Sequence, residues 1–260
     1  IVCNATSCLE VTTSAYPTTS WNVPWIHTAF ETTSALASGV EKAVKKMGKA
    51  WKVVAIAGDG GTFDIGLQGF SGMLERGHKV TQVCVDNEAY MNTGIQRSGG
   101  TPYGAWTTTS PPGKVTIGKE EWKKPLDEII VAHKIPYVAT ASIAYPTDLI
   151  NKMKKALEKQ PSFLHIICPC PTGWKTDVSD SVNLAKLAVE TGMWALYEVE
   201  DRQFRITKRA SNRKPVSEYL KRQGRFKHLD SESIEHIQKG VDARWEELDK
   251  LEKQDGKLLY

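Results

Sequence analysis

The chain alternates short apolar runs with longer segments in which hydrophobic residues recur every three or four positions. Residues 53–57 form a continuous apolar run, which predicts a strand buried on both faces of a parallel sheet, and residues 80–85 predict a second short strand. By the same reasoning, helices are predicted over residues 29–47, 65–74, 126–133 and 147–160, and further strands over residues 136–139 and 163–167. Strands that alternate with helices favour an α/β fold, in which a parallel sheet carries helices on both faces.

The character of the chain changes near residue 200. We expect residues 1–200 to form the α/β domain, within which the Thr-, Ser-, Pro- and Trp-rich segment 9–28 is predicted to be an ordered loop. Residues 205–227 carry nine Lys and Arg against a single acidic residue, and a charged amphipathic helix is predicted over residues 232–253. Residues 201–260 are therefore expected to form a basic C-terminal extension that ends in a helix.

Composition excludes several classes of protein. With 260 residues, of which 40% are hydrophobic and 25% charged, the chain has enough apolar surface to fold, so it is not largely disordered. It contains no run of about 20 apolar residues, so we expect no membrane span. The net charge of +4 is too small to indicate nucleic-acid binding. Since the first residues do not resemble a signal peptide, we expect a cytoplasmic location.

Polar residues follow two of the predicted strands at the point where each strand ends. Gly58-Asp59-Gly60 ends the first, and Asn87 comes directly after the second, with 26 residues between Gly60 and Asn87. Ligands of parallel sheets lie at the carboxyl ends of the strands. A carboxylate and an amide oxygen are hard ligands that suit Mg²⁺, to which the Ala89 carbonyl could add a third, and glycines let the backbone approach a diphosphate. An ordinary tight turn is the alternative for Gly-Asp-Gly taken alone.

Two common phosphate-binding loops do not fit the chain. Phe63 stands where the dinucleotide fingerprint Gly-x-Gly-x-x-Gly requires its third glycine. Gly113-Lys114 is followed by Val115, whereas a P-loop requires Ser or Thr at that place. A diphosphate bound through a divalent cation remains as the interpretation of the Gly-Asp-Gly and Asn pair.

Four segments resemble one family. They are residues 58–66 (Gly-Asp-Gly-Gly-Thr-Phe-Asp-Ile-Gly), 86–94 (Asp-Asn-Glu-Ala-Tyr-Met-Asn-Thr-Gly), 101–106 (Thr-Pro-Tyr-Gly-Ala-Trp) and 169–174 (Pro-Cys-Pro-Thr-Gly-Trp). Together they resemble the thiamine diphosphate-binding β subunit of 2-oxoacid:ferredoxin oxidoreductases, and most of all the pyruvate-acting members. The resemblance implies the thiamine diphosphate-binding fold. It also implies oxidative decarboxylation of a 2-oxoacid, with transfer of the acyl group to coenzyme A and of electrons through a [4Fe–4S] cluster to ferredoxin.

The resemblance also implies a set of site residues. Asp59, Asn87 and the Ala89 carbonyl would bind Mg²⁺, and Asn92 would anchor the 2-oxoacid or the reaction intermediate. A buried structural amide is the alternative role for Asn92. The full cofactor-binding set implied in this way is Gly58, Asp59, Gly60, Gly61, Asn87, Ala89, Asn92 and Thr93.

Four cysteines bind the cluster of this family, and two of them have counterparts here. Cys8 ends the stretch Asn-Ala-Thr-Ser-Cys, and Cys170 lies in Pro-Cys-Pro-Thr-Gly-Trp. Thiolates are the ligands that an iron–sulfur cluster requires. The sequence has no Cys-x-x-Cys, so we expect the other two ligands upstream of Ile1, with Cys3 and Cys168 as substitutes. Cysteines that are not ligands are predicted to be small buried hydrophobic residues.

The resemblance further implies partner subunits. We find no candidate for the glutamate that activates the thiamine ring, and in the family an α subunit supplies it, with γ and δ subunits in some complexes. The chain is therefore expected to be incomplete alone, with its active site at a subunit interface. The basic segment 205–227 is expected to be a solvated face, an arm around a partner subunit or a ferredoxin-binding surface.

Two other functions stay open at this point. One is a non-redox thiamine enzyme, a decarboxylase or carboligase, in which Cys8 and Cys170 are ordinary thiols. The other is an assembly subunit that has lost the cofactor. The 2-oxoacid itself is also open, since oxalate, 2-oxoglutarate and branched-chain 2-oxoacids are used in related complexes.

Overall fold

The computed structural model describes residues 1–210 and 212–253, and its framework is a single sheet. The strands are β1 (Val2–Ala5), β2 (Trp25–Thr28), β3 (Val53–Gly58), β4 (Val80–Asp86), β5 (Tyr137–Ser142), β6 (Ser162–Ile167), β7 (Leu196–Glu200) and β8 (Gln203–Lys208). Their order across the sheet is β2-β1-β3-β4-β6-β5-β7-β8. β1 to β6 pair in parallel, whereas β7 is antiparallel to β5 and β8 is antiparallel to β7.

The helices connect the strands or follow them. They are α1 (Cys8–Thr13), α2 (Thr33–Lys46), α3 (Leu67–Glu75), α4 (Leu126–Val131), α5 (Pro146–Glu158), α6 (Pro171–Trp174), α7 (Ser181–Glu190), α8 (Val216–Leu220) and α9 (Ser231–Lys253). A π-helical turn, Gly60–Asp64, and two 3₁₀ turns, Val178–Asp180 and Gly224–Phe226, complete the secondary structure. Within the described residues, no helix is both long and apolar enough to cross a membrane.

Alternate residues of the central strands point to two different hydrophobic cores. Val53 and Ala55 of β3 belong to the core on the face that α2, α3, α7 and α9 cover. Val54 and Ile56 belong to the core on the opposite face, where α5 packs. This two-residue period is the expected geometry of a strand buried on both sides. The predicted α/β class, with helices on both faces of the sheet, is confirmed.

Several elements differ from the sequence-based expectation. The sheet is parallel only from β1 to β6, because β7 and β8 form an antiparallel hairpin at one edge. The segment 9–28 is not simply a loop, since α1 covers its beginning and β2 its end. β8, at residues 203–208, extends the sheet beyond the expected boundary at residue 200, so the division into 1–200 and 201–260 stays a prediction. Residues 211 and 254–260 of that extension lie outside the described residues.

Candidate functional site

The carboxyl ends of four neighbouring strands bring the predicted site residues together. β1, β3, β4 and β6 lie side by side, and Cys8, Asp59, Asn87 and Cys170 each follow one of them within three residues. The register pairs the last residue of β3 with Val85, one residue before β4 ends. Parallel pairing with this register makes the loops after the strands converge at one edge of the sheet.

Asp59 occupies the turn that follows β3. Its backbone is helical, with φ −59° and ψ −49°, and it leads directly into the π-helical turn. The carboxylate is buried, with 1% of the residue exposed, and its Oδ2 accepts a hydrogen bond from the Ser98 hydroxyl. Burial and the neighbouring Asp86 carboxylate raise the pKa of Asp59 well above its usual value. A buried carboxylate in this state is one that a bound cation would stabilise in its charged form.

Asn87 directs its amide toward Asp59 and Ala89. One terminal atom of the amide lies 3.1 Å from Oδ1 of Asp59 and 2.9 Å from the carbonyl oxygen of Ala89. With the amide oxygen at this position, three oxygen atoms face one another, and the amide nitrogen is 3.6 Å from Sγ of Cys8. With the nitrogen there instead, it donates to both oxygens. The first arrangement is unfavourable without a positive charge among the oxygens and favourable with one.

This set of oxygens fits a magnesium ion. A carboxylate, an amide and a backbone carbonyl are hard ligands, and Mg²⁺ normally completes its octahedron with phosphate oxygens and water. In the part of the chain that the structure describes, no three His, Cys, Asp or Glu side chains are grouped so that they could hold a metal ion. The predicted magnesium set contains only one of these residue types, Asp59. Magnesium binding by Asp59, Asn87 and Ala89 stays a prediction, to which the geometry adds support.

Cys8, Cys168 and Cys170 interact electrostatically beside this group of oxygens. Cys8 opens α1, whose first turn is capped by the Ser7 hydroxyl. Burial and the neighbouring Cys170 raise the pKa of the Cys8 thiol, and burial, Cys170 and Cys8 raise that of Cys168 to about 11. Such mutual effects require that the thiols lie close together. The three thiols are not grouped closely enough to hold a metal ion by themselves. Thiols at one edge of the sheet suit part of an iron–sulfur site whose remaining ligands would come from elsewhere.

The loop that carries Cys170 is fixed to Asn87. Trp174 is buried at the end of α6, and its indole nitrogen donates to the Asn87 carbonyl at 2.8 Å. The Cys168 amide continues the strand pairing by donating to the Asp86 carbonyl at 2.8 Å. The two remaining cysteines, Cys3 and Cys84, lie fully buried in the hydrophobic core, as predicted for Cys84, whereas Cys168 is only partly buried. Because it is fully buried, Cys3 is less suitable than Cys168 as a substitute ligand for the cluster.

Gly60 is required by the packing of Tyr90. A Cβ on Gly60 would lie 2.5 Å from a carbon of the Tyr90 ring, far inside van der Waals contact. The Tyr90 hydroxyl lies 3.2 Å from both the Gly60 carbonyl and the Asp64 carboxylate. The expected approach of a diphosphate is one reason for a glycine at this position. The Tyr90 ring is a second reason, which lies within the chain.

The site opens to a small cavity of about 40 Å³. Most of the predicted cofactor residues line it, namely Cys8, Gly58, Asp59, Gly60, Asn87, Ala89, Asn92 and Thr93, whereas Gly61 and Cys170 do not. Asn92 and Thr93 are exposed at its rim, so the interpretation of Asn92 as a buried structural amide is wrong. The Asn92 backbone N–H donates to Cys8 and lowers the pKa of that thiol, in opposition to burial. Clefts that enclose a whole cofactor measure about 300–1,000 Å³, so this cavity can hold only part of one.

A buried cluster of charged side chains behind Asn87 was not foreseen. His165 lies between Asp86 and Asp127, with 2.8 Å from each ring nitrogen to a carboxylate oxygen, and Lys123 Nζ is 2.6 Å from Asp86. Although burial disfavours charge, Asp127 and Asp86 raise the pKa of His165 well above its usual value. Likewise, Lys123 and His165 lower the pKa of Asp86 to about 2 in spite of its burial. In the sequence, the only hint of this cluster was Asp86, which directly precedes Asn87.

A second cavity is larger than the one at the candidate site, and it lies beside the buried charged cluster. It measures about 610 Å³, is lined by α4, α9 and the chain before β7, and has His165 and Lys123 in its wall. Neither Asp59 nor Cys8 lines it. We place the candidate site at the smaller cavity, because the predicted cation ligands and Cys8 line it.

The basic segment 205–227 is largely neutralised within the chain. Arg225 is buried and bonds to Glu88 at 2.5 Å. Arg209 pairs with Asp249 and Glu252 of α9. Further ion pairs are Arg205–Glu198, Arg213–Asp242, Lys214–Glu190 and Arg222–Asp180. A freely exposed basic surface for an acidic carrier is therefore less favoured than the sequence alone indicated.

Comparison with known proteins finds one matching family and several similar subunits. Residues 3–166 match the family described as "Thiamine pyrophosphate enzyme, C-terminal TPP binding domain", and thiamine pyrophosphate is thiamine diphosphate under another name. Pyruvate synthase subunit PorB of Methanothermobacter thermautotrophicus is 55% identical over 250 residues, which cover 95% of this chain and 87% of that subunit. The chain belongs to this thiamine pyrophosphate enzyme family. The match confirms the predicted family and the prediction of a thiamine-dependent oxidoreductase subunit.

Other members of the family are similar over nearly the whole chain. Pyruvate synthase subunit PorB of Pyrococcus horikoshii is 52% identical, with 95% of this chain and 81% of that subunit covered. Ketoisovalerate oxidoreductase subunit VorB of Pyrococcus furiosus is 49% identical, with 94% and 81% covered. The solved 2-oxoglutarate:ferredoxin oxidoreductase from Magnetococcus marinus has a TM-score of 0.56 at 22% identity, covering 71% of this chain and 66% of that chain. This last likeness concerns the fold alone, and it agrees with the predicted thiamine diphosphate-binding fold.

Proposed function

We propose that this chain is the thiamine diphosphate-binding subunit of a complex that oxidatively decarboxylates pyruvate. Coenzyme A would take the acyl group, and ferredoxin would accept the electrons through a [4Fe–4S] cluster. The observation that carries the proposal is the position of the Asn87 amide, within 3.1 Å of Oδ1 of Asp59 on one side and 3.6 Å from Sγ of Cys8 on the other. A cation site and a thiolate site are thus joined by one side chain.

The residues around the cavity have separable tasks in this proposal. Asp59, Asn87 and the Ala89 carbonyl would hold Mg²⁺ and, through it, the diphosphate of the cofactor. The buried Ser98 hydroxyl keeps Oδ2 of Asp59 occupied, so that Oδ1 is left for the cation. The backbone at Gly58 leaves room near the phosphates, since a Cβ there would meet only the Val85 carbonyl, at 3.9 Å. When bound, thiamine diphosphate supplies the carbon nucleophile and electron sink for decarboxylation, which no side chain provides.

The thiols mark the proposed exit for electrons. Cys8 and Cys170 would each supply one thiolate to the cluster, and the other ligands are not among the residues assigned here. Cys8 is held by two N–H donors, the Asn87 amide and the Asn92 backbone. Because both donors also line the cofactor cavity, the cluster and the cofactor would be neighbours. This adjacency favours a redox enzyme over a non-redox decarboxylase or carboligase.

A partner subunit is needed to complete the site in this proposal. The cavity of about 40 Å³ accommodates only a fraction of the cofactor, and the exposed Asn92 and Thr93 stand at its open rim. We propose that the thiamine ring lies against an α subunit, which also supplies the activating glutamate. In that arrangement Asn92 faces the substrate from this side of the interface and orients its polar groups.

The relatives leave two substrate classes to be compared. Subunits named for pyruvate synthase and for ketoisovalerate oxidoreductase are 55% and 49% identical to this chain, which is a small difference. We favour pyruvate, and a branched-chain 2-oxoacid is the second candidate that the VorB relative supports. A substrate panel should also contain 2-oxoglutarate and oxalate.

The complex that contains this chain should be purified without oxygen and analysed directly. Under the proposal it contains thiamine diphosphate, magnesium and iron, and it reduces ferredoxin when pyruvate and coenzyme A are both present. Faster reduction with 2-oxoisovalerate than with pyruvate would transfer the assignment to the branched-chain class. Bound thiamine without iron would support the non-redox enzyme, and a preparation with neither would support a scaffold subunit.

A further inference from the structure

The side-chain amide of Asn87 has two hydrogen-bonding states, and each fits a different occupancy of the cation site. An amide presents an oxygen that accepts and a nitrogen that donates, and a half turn about its last torsion exchanges them. The inner position of the amide lies 3.1 Å from Oδ1 of Asp59 and 2.9 Å from the Ala89 carbonyl. The amide nitrogen in the opposite, outer position lies 3.6 Å from Sγ of Cys8.

A bound cation selects one of these states. Mg²⁺ between the three oxygens requires the amide oxygen at the inner position, since an N–H cannot serve as a metal ligand. The nitrogen then lies at the outer position and donates to Cys8. Without the cation, the inner position favours the nitrogen, which donates to Asp59 and Ala89, and Cys8 loses the donor.

We propose that Asn87 couples the occupancy of the magnesium site to the reduction potential of the cluster that Cys8 binds. The inference rests on the proposed function, because it needs both a cation and a cluster at this edge of the sheet. Hydrogen bonds to cluster sulfurs stabilise the more negative, reduced cluster and so raise its reduction potential. The loaded site therefore holds a better electron acceptor than the empty one. By linkage, reduction of the cluster strengthens cofactor binding by the same factor.

The second donor to Cys8 is the Asn92 backbone, and it cannot produce this coupling. Its N–H also donates to Cys8, but a backbone amide cannot turn with the cation. Of these two donors to Cys8, only the Asn87 amide can turn and replace its nitrogen by its oxygen. Removal of the Asn87 donor should therefore abolish the dependence of the potential on cofactor occupancy while one hydrogen bond to the sulfur remains.

The test uses the anaerobically purified complex with asparagine that is ¹⁵N-labelled at the side-chain amide only, so that the Asn92 backbone gives no signal, and it is measured with and without Mg²⁺ and thiamine diphosphate. Pulsed electron paramagnetic resonance of the reduced cluster should detect a ¹⁵N coupling from Asn87 only in the loaded complex. A redox titration should give a midpoint potential that is higher in the loaded complex, by roughly tenfold in the one-electron equilibrium, or about 59 mV. The cluster concerned is identified as the one whose signal is lost in Cys170→Ser.

Two aspartate variants separate the hydrogen bond from charge. Asn87→Asp keeps an oxygen for the cation but cannot donate to Cys8, and it should lose both the ¹⁵N coupling and most of the cofactor-dependent shift. Thr6→Asp adds the same charge at the wall of the same cavity, at a residue with no role in cofactor or cluster binding, and keeps the Asn87 donor, so it should retain both signals. If Asn87→Asp does not assemble, the coupling in the labelled wild-type complex decides the question by itself.

The outcomes distinguish this inference from the proposed function. A wild-type complex that lacks iron or thiamine overturns the proposed function, and this inference with it. A complex that contains both, but shows no ¹⁵N coupling when loaded, overturns the inference alone. The same conclusion follows if Asn87→Asp and Thr6→Asp show equal shifts on cofactor binding.

Discussion

The Ser98 hydroxyl donates a hydrogen bond to Oδ2 of Asp59, which leaves Oδ1 of that carboxylate facing the Asn87 amide. Ser98 is itself held by its neighbours, since its backbone N–H donates to the Thr101 hydroxyl at 3.0 Å. Gly100 closes over the same carboxylate, because a Cβ at this position would lie 3.1 Å from the Asp59 Cβ. The loop 98–101 therefore fixes the rotamer of Asp59 and orients the carboxylate for a ligand.

Replacement of Ser98 by Ala should weaken cation binding without removing a ligand. Loss of a partner that orients a metal ligand typically lowers metal affinity by about 10- to 100-fold, and we expect a loss in this range for Mg²⁺. Titration of the cofactor-free complex with Mg²⁺ at saturating thiamine diphosphate measures it. Ser179→Ala, at an exposed 3₁₀ turn, is the matched control and should bind as the wild type does. Equal affinities in the two variants would assign Ser98 a purely structural role.

Asp59→Asn should remove the cofactor while sparing the fold. Burial and Asp86 raise the pKa of Asp59, and a carboxyl with a raised pKa contributes stability that is lost as pH rises through that pKa. Above its unfolded pKa the group therefore destabilises the folded chain relative to an uncharged side chain, so the cofactor-free variant should be at least as stable as the wild type. Thiamine content after gel filtration measures retention of the cofactor, and urea unfolding measures stability. The exposed Asp177→Asn is the control for both. Full retention of thiamine would contradict the magnesium assignment.

Much of the fold was predictable because its central strands are buried on both faces. The apolar run at residues 53–57 and the helical spacing of 147–160 correspond to β3 and α5 within one or two residues. β1 and β2 were missed, since strands of four residues are too short to reveal a period. β8 was missed for a different reason: its Arg and Lys side chains are exposed on a strand at the opposite edge.

The candidate site was predictable to the extent that its residues follow strands in a parallel sheet. Asp59 and Asn87 stood out because a polar residue directly follows an apolar run in each case. Ser98 and His165 were not recognisable, since their role depends on contacts between residues 39 and 79 positions apart in the chain. No local pattern encodes such a contact, so a single sequence suggests candidate ligands but not the groups that orient them.

Cys170→Ser should lower the iron content of the complex. A serine oxygen is a poorer ligand for iron than a thiolate, and the proposed cluster would lose one of its two ligands from this chain. Iron analysis and visible absorption of the anaerobic complex measure the effect, and Cys84→Ser at a fully buried core position controls for the loss of any thiol. Unchanged iron in Cys170→Ser combined with a loss in Cys168→Ser would move the ligand to Cys168.

The buried cluster around His165 should give the chain a characteristic pH dependence of stability. Lys123 and His165 lower the pKa of Asp86 to about 2, so its contribution is present above the unfolded value of about 3.9 and is lost as pH falls from there toward 2. The pKa of His165 is raised, so its contribution is complete below about 6.5 and is lost only as pH rises through the raised value. Urea unfolding at a series of pH values gives the free energy of unfolding against pH and so measures both the acidic and the alkaline limb of this profile.

His165→Gln tests the same cluster by mutation. The change leaves Asp86 and Asp127 without a cation between them, and removal of one partner from a buried ion pair costs about 3–5 kcal/mol. The alkaline limb of the stability profile should also flatten, since the titrating group is gone. His27→Gln, at an exposed histidine, should change neither the free energy of unfolding nor the shape of the profile. A small effect in both variants would show that His165 is not charged in the folded chain.

Gly60→Ala should destabilise the chain through Tyr90 and not through helix or turn propensity. The added methyl group would lie 2.5 Å from the Tyr90 ring, and such overpacking typically costs about 1–3 kcal/mol. Gly39→Ala is the matched control: this glycine lies in α2 with nothing within 4 Å of the added Cβ, so the change should stabilise by about 0.5–1 kcal/mol. Tyr90→Val in the Gly60→Ala background should recover part of the loss, because it removes the ring that the methyl group meets. If the double variant is no more stable than Gly60→Ala alone, the cost lies in the backbone of the π-helical turn and the role assigned to Tyr90 is wrong.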